Sequence, residues 1–163
     1  MEIHEKIESY LADNKSMSIT FSMVKNYSRI GRFSFFVKYA RESRNLGHKI
    51  LNYCSALETL FSTDNTEISH KIGERIAYFL SKEFTKLDTY KIIKKAYTVR
   101  SKLTHGANID NKLIEELPDI SKEIDTILRT IMNKIITDEK LISVFESNNQ
   151  LLNNYFNELL FAE

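Results

Sequence analysis

Between Pro118 and Thr137 the chain sets Ile120, Ile124, Ile127, Leu128, Ile131 and Ile135 at intervals of one, three and four residues. In a strand, whose side chains alternate faces, three of the six would point each way. A helix of 3.6 residues per turn gathers all six on one stripe. Pro118 has no amide hydrogen to lose and suits the first position of that helix, with Asp119 and Glu123 following near its positive end. An apolar stripe needs other stripes to cover it, and the chain repeats the pattern several times. It also holds only four glycines and one proline in 163 residues, too few for a fold rich in tight turns. The expected fold is all-α: an antiparallel helical bundle with short connections, of single-domain size.

Taken in order, residues 1–29 read as a short N-terminal helix followed by an extended arm. Ile3, Ile7, Tyr10 and Leu11 share a helical side, and Ile19, Phe21 and Met23 alternate with Thr20 and Ser22. Residues 30–163 read as the helical domain. Phe33, Phe36, Val37 and Ala40 point inward from a helix over 31–43. Ile50, Cys54, Leu57 and Phe61 form the stripe of a second over 48–61. The polar run 62–67 is a loop, with Thr66 and Ser69 as candidate caps for a third helix ending near Lys82. A fourth begins near Leu87 and buries Ile92, Ala96, Val99 and Leu103. Residues 107–117 read as a connection, with one short helical turn or two, into the isoleucine stripe. Two amphipathic segments follow, and the last ends in Leu159-Leu160-Phe161. That end closes its own bundle or meets a second copy.

Charge and composition exclude several functions. The net charge of +1 produces no global basic field, although Arg29, Arg32, Lys38, Arg41 and Arg44 make one region locally basic. The single cysteine, Cys54, rules out an internal disulfide and falls on an apolar face. His4, His48, His70 and His105 are scattered, so no metal site is expected. No glycine-rich phosphate loop and no Gly-x-Ser-x-Gly elbow occurs, and no cofactor is expected. Without a leader or a long apolar run, a cytoplasmic protein that does not enter the membrane is expected.

The residues with chemical potential cluster where the fourth helix ends. Arg100-Ser101-Lys102-Leu103-Thr104-His105-Gly106 brings a permanent cation, a histidine and two hydroxyls to a helix terminus that Gly106 closes in a left-handed conformation. On a straight helix Arg100 and His105 stand about 140° apart. They converge if the helix ends just before His105, or if a second chain completes the site. A plainer reading is that Lys102 and His105 complement the negative end of the helix. Elsewhere, Glu58 and Arg100 lie at the edges of their stripes and can face each other. Arg75 lies inside its stripe and is expected to be paired, with Glu58 the favoured partner; otherwise its stem crosses the core to reach water.

Three blocks in order, Ala56-Leu57-Glu58-Thr59-Leu60-Phe61, Lys71-Ile72-Gly73-Glu74-Arg75-Ile76-Ala77 and Ala96 through Gly106, resemble the Apea-like branch of the HEPN superfamily. That superfamily's signature is an arginine, four to six residues, then a histidine. The resemblance spans roughly residues 30–137 and implies a HEPN-type bundle. It also implies a metal-independent endoribonuclease, in a phage-defence or stress-response setting, with RNA as partner and a site formed across a homodimer. Carried onto this chain, it assigns proton transfer to His105 and phosphate binding to Arg100. Ser101, Lys102 and Thr104 are auxiliaries; Glu58 and Arg75 orient the site or hold the helices that form it. Histidine titrates near neutrality and the arginine fork matches phosphate oxygens, so the residue types suit the chemistry. Many active members place Asn or Asp directly after the arginine; here Ser101 stands there, as is common in the Apea-like branch. Other family members bind nucleotides or pair with another protein without cutting RNA, and domains of this kind often follow an upstream domain.

Overall fold

The isoleucine stripe belongs to a longer helix than its proline signals. In the computed structural model, which describes residues 28–161, seven helices run in order: α1 (Arg29–Glu42), α2 (Leu46–Phe61), α3 (Ile68–Phe79), α4 (Lys86–Thr104), α5 (Asn111–Ile136), α6 (Glu139–Phe145) and α7 (Asn149–Phe161). No strand occurs among the described residues, and the fold is an all-α helical bundle. The expected N-terminal helix and arm lie outside the described residues.

Helix α5 starts seven residues before Pro118 because Asp110 supplies a better cap than proline supplies a start. Asp110 Oδ1 accepts the Leu113 amide hydrogen at 2.9 Å. Leu113 and Leu117 also extend the stripe upstream. The expected connection over 107–117 is therefore only its first few residues, and the helical turns expected within it are the first turns of α5. Pro118 sits inside the helix but on its exposed side, where water can reach the Ile114 carbonyl that proline leaves without a partner.

Helix α2 is the centre of the bundle. It packs on α1, α3, α4 and α5, and its buried set (Ile50, Tyr53, Cys54, Ala56, Leu57, Leu60, Phe61) covers a broad arc. Its C-terminal end enters an aromatic cluster in which Phe61 lies 5.5–5.6 Å from the rings of Phe79, Phe145 and Phe156. One carboxylate ties three helices together. Asp125 of α5 accepts hydrogen bonds from Tyr53 (2.8 Å), Arg41 (3.1 Å) and Arg129 (2.6 Å). At the far end, Glu146 accepts from the backbone amides of Arg29 (3.3 Å) and Ile30 (3.1 Å), placing a carboxylate at the positive end of α1.

Two local expectations are corrected. Neither Thr66 nor Ser69 caps α3. Asp64 takes the Thr66 amide and hydroxyl hydrogens at 2.8 and 2.7 Å, and Ser69 Oγ accepts from Lys94 at 2.9 Å. The helix starts instead from Glu67 in a left-handed conformation. It also stops at Phe79, where Lys134 Nζ donates to the Phe79 carbonyl at 2.7 Å and pairs with Glu83 at 3.0 Å. Helices α3 and α4 lie very close at Gly73, where an added Cβ would come within 2.9 Å of the Tyr90 ring.

Candidate functional site

The end of α4 is a Schellman motif. The Ala107 amide donates to the Lys102 carbonyl at 2.9 Å and the Gly106 amide to the Leu103 carbonyl at 3.4 Å. Gly106 has φ +65°, a conformation that a side chain resists. His105 is the residue at which the helix ends, with φ −94° and ψ 6°, its amide still donating to the Ser101 carbonyl at 3.0 Å. Arg100 and His105 both line one cleft of about 540 Å³ between the start of α3 and the last turns of α4.

That cleft has a consistent chemical character. Arg100, Lys94, Lys102 and His105 line it together with the hydroxyls of Ser69, Thr98, Ser101 and Thr104, and no carboxylate belongs to its lining. Each of the three permanent cations has a partner, Lys94 within the lining and the other two outside it. Lys94 donates to Ser69, Lys102 pairs with Asp110 at 3.0 Å, and Arg100 is held by Glu58. The exposed His105 imidazole makes no hydrogen bond among the described residues. Such a lining suits an anion with several oxygens, the chemistry of a phosphate.

Glu58 and Arg100 do face each other across α2 and α4. Two contacts, Arg100 Nη1 to Glu58 Oε1 at 2.9 Å and Nη2 to Oε2 at 3.2 Å, give a forked pair. Tyr97, buried beneath, donates its hydroxyl to Glu58 Oε1 at 3.2 Å, and the Arg100 guanidinium lies 5.6 Å from its ring centre. Burial pushes the Glu58 carboxyl above its usual range, against the opposing pull of Arg100 and the Tyr97 hydrogen bond. Burial likewise raises the Tyr97 phenol and the Cys54 thiol. Tyr97 therefore serves as a neutral donor that orients the carboxylate.

Arg75 belongs elsewhere, and the expected Arg75–Glu58 pair is not formed. Arg75 is only 5 % exposed. It donates to the Phe61 carbonyl (2.6 Å), Thr63 Oγ1 (3.2 Å) and Asn153 Oδ1 (2.7 Å), and it lies 4.5 Å above the Phe156 ring. The reason is positional. Phe61 ends α2 one turn beyond Glu58, so a side chain reaching the end of the helix meets free carbonyls before it meets the carboxylate. Arg75 thus fastens α7 to the end of α2 and does not touch the cleft.

Lys94, Tyr97, Thr98 and Ser69 enter the site without having been singled out as site residues by the sequence. A signal existed for three of them. Lys94, Thr98, Ser101 and His105 recur at four, three and four residues, one polar row along α4, with Tyr97, Arg100 and Thr104 in the row beside it. Ser69 comes from α3, and only the packing brings it in.

Among the described residues no group of three His, Cys, Asp or Glu side chains could hold a metal ion, and no helix is long and apolar enough to cross a membrane. Comparison of the chain with protein-family models, with curated proteins and with solved structures finds no match.

Proposed function

We propose that this chain is a metal-independent endoribonuclease of the HEPN type, with the bundle that type implies, cutting RNA in a phage-defence or stress-response setting. The observation that carries the reading is the cleft at the end of α4, where Arg100, Lys94, Lys102 and His105 gather without a carboxylate in the lining. In RNA the nucleophile is the substrate's own 2′-hydroxyl. Its oxygen attacks phosphorus, the bond to the 5′-oxygen breaks, and the fragments carry a 2′,3′-cyclic phosphate and a 5′-hydroxyl. His105 accepts the hydroxyl proton or supplies the one the leaving oxygen needs. A second copy of the chain provides the other histidine, which is why a homodimer belongs to this reading. Arg100 and Lys102 hold the phosphate, Ser101 and Thr104 donate to its oxygens, and Glu58 with Tyr97 sets the angle of Arg100.

The forked Glu58–Arg100 pair favours a second reading, a HEPN module that binds nucleotide or RNA, or pairs with protein, without cutting. A guanidinium already clasped by a carboxylate has fewer donors left for phosphate. One experiment separates the two. Purified wild type, Arg100→Ala and His105→Ala are incubated with mixed-sequence RNA in excess EDTA, all three verified as folded. Cleavage by wild type alone supports the nuclease. No cleavage by folded wild type supports the binding module. Equal cleavage by all three removes both residues from the reaction.

A further inference from the structure

A second cleft of about 660 Å³ adjoins the first, and of its lining only Glu58 takes part in the chemistry above. The two share Ile68 in their linings. Arg100 lines one and Glu58 the other, so the ion pair stands as the wall between them. The charges of the second cleft are nearly all accounted for. Glu58 is held by Arg100. Asp64 is held by Lys71 Nζ at 2.9 and 3.0 Å and by Thr66. Arg29 donates to the Thr59 and Ser62 carbonyls, each at 3.2 Å, and to Asn149. Arg32 is what remains. It lines the cleft, makes no hydrogen bond or ion pair among the described residues, and has its Nε shut away from solvent without an acceptor.

The two Nη groups of Arg32 are not shut away as Nε is and have no acceptor among the described residues, so they are the donors an anion in the cleft can meet. Beside Arg32 in the lining is Phe36, half-buried, one turn further along α1. An aromatic ring next to an arginine is the pairing that single-stranded nucleic acid uses, base on ring and phosphate on cation. The remaining wall offers neutral hydrogen-bonding groups, Thr59, Asn65 and Asn149 among them. A protein or peptide anion would also satisfy Arg32, but it would not account for the neighbouring ring or for continuity with the first cleft.

We infer that the cleft at Arg32 and Phe36 is a second nucleotide subsite, which holds the phosphate and base of the nucleotide next to the one bound at Arg100 and His105. The inference rests on the RNA reading of the first cleft and deepens it: the ligand is a single strand at least one nucleotide longer than the cut itself requires.

The test uses a labelled RNA tetranucleotide with 2′-O-methyl groups throughout, which blocks the attacking hydroxyl, and the corresponding dinucleotide. Binding is measured by fluorescence polarisation across a salt series for the full chain, Arg32→Gln, Arg32→Lys and Phe36→Leu, each shown to be folded by its thermal melt. Arg32→Gln keeps the stem and removes the charge. It is expected to weaken tetranucleotide binding about tenfold and to lower the slope of log affinity against log salt by about 0.7, the loss of one single-strand phosphate contact. Arg32→Lys keeps the slope. Phe36→Leu weakens binding about fivefold or more with the slope unchanged. The dinucleotide, which fills the first cleft alone, binds all four alike. Wild-type affinity and slope in Arg32→Gln, equal losses for both oligonucleotides, or no binding by wild type would each overturn the subsite. Cleavage of ordinary RNA is scored separately. Binding that depends on Arg32 without cleavage keeps the subsite and removes the nuclease; cleavage with no Arg32 effect does the reverse.

Discussion

Replacing Arg75 by alanine should destabilise the bundle by about 2–4 kcal/mol, and the terms can be followed one by one. The Phe61 carbonyl loses the only hydrogen bond that reaches it among the described residues, a buried acceptor left empty at about 1–3 kcal/mol. Removal of the guanidinium from the Phe156 face loses about 0.5–2 kcal/mol. Two buried methylenes add about 1.6 kcal/mol. Asn153 and Thr63 lose less, because the Thr63 hydroxyl still donates to Asn153 Oδ1 at 3.1 Å. Working in the opposite direction, a buried guanidinium no longer has to be stripped of water, a relief of several kcal/mol that keeps the total well below the sum. Urea unfolding followed by circular dichroism measures the result, with a lower midpoint and an unchanged slope.

A double-mutant cycle then decides which pairing is real. Arg75 with Glu58 should couple by less than about 0.5 kcal/mol. Arg100 with Glu58, a forked pair whose side chains are 33 % and 22 % exposed, should couple by about 1 kcal/mol after screening by solvent. A loss below about 1 kcal/mol for Arg75→Ala, or strong coupling of Arg75 to Glu58, would refute the anchoring role.

Three further outcomes follow from the same packing. Pro118→Ala should stabilise the protein by about 1–2 kcal/mol by restoring the amide that Ile114 lacks; a lower melting temperature would refute a cost from that missing hydrogen bond. Cys54 is fully buried with its thiol pushed up, so a disulfide reagent should label it only in denaturant, and rapid labelling of native protein would contradict the central place of α2. For Asp125, burial raises the carboxyl but is outweighed by hydrogen bonds from Tyr53 and Arg129 and by Arg41, leaving it below its usual 3.8. A lowered carboxyl contributes stability that is present above its unfolded value and is lost as pH falls through the folded one. Asp125→Asn should therefore cost about 1–2 kcal/mol at pH 7 and progressively less below about pH 4. A cost independent of pH would point to packing alone.

The helices were legible in the sequence because each carries its own stripe, and the stripe is a property of spacing. Their starts were less legible. Asp110 caps α5 with an ordinary side-chain hydrogen bond, yet Pro118 is the more conspicuous signal, and a proline on an exposed helix face does not have to mark an end. Glu67 begins α3 from a left-handed conformation that nothing in its neighbours announces, since the hydroxyls on either side are used by Asp64 and Lys94. Gly106 was legible for the opposite reason: a positive φ at a helix end selects for glycine directly.

The candidate site divides along the same line. Arg100, Ser101, Lys102, Thr104 and His105 are close in sequence, on the last turns of α4 and its terminal residue, and they line one cleft. Arg75 was misassigned because stripe position reveals burial but not direction. A buried arginine needs acceptors, and the carbonyls at the end of a neighbouring helix serve as well as a carboxylate, at a lower cost in charge desolvation. Once Arg75 is satisfied by Phe61 and Asn153, Glu58 is left for Arg100. That substitution of partners has a functional consequence. The carboxylate that would have been a distant structural pair instead holds the cation of the candidate site, and any phosphate entering the cleft must share Arg100 with Glu58 or draw it away. Glu58→Gln keeps the shape and removes the charge, so it should tighten binding of an uncleavable RNA if the clasp opposes the ligand. It should loosen binding if the clasp positions Arg100 for it. Unchanged affinity would show that Arg100 does not meet the phosphate at all.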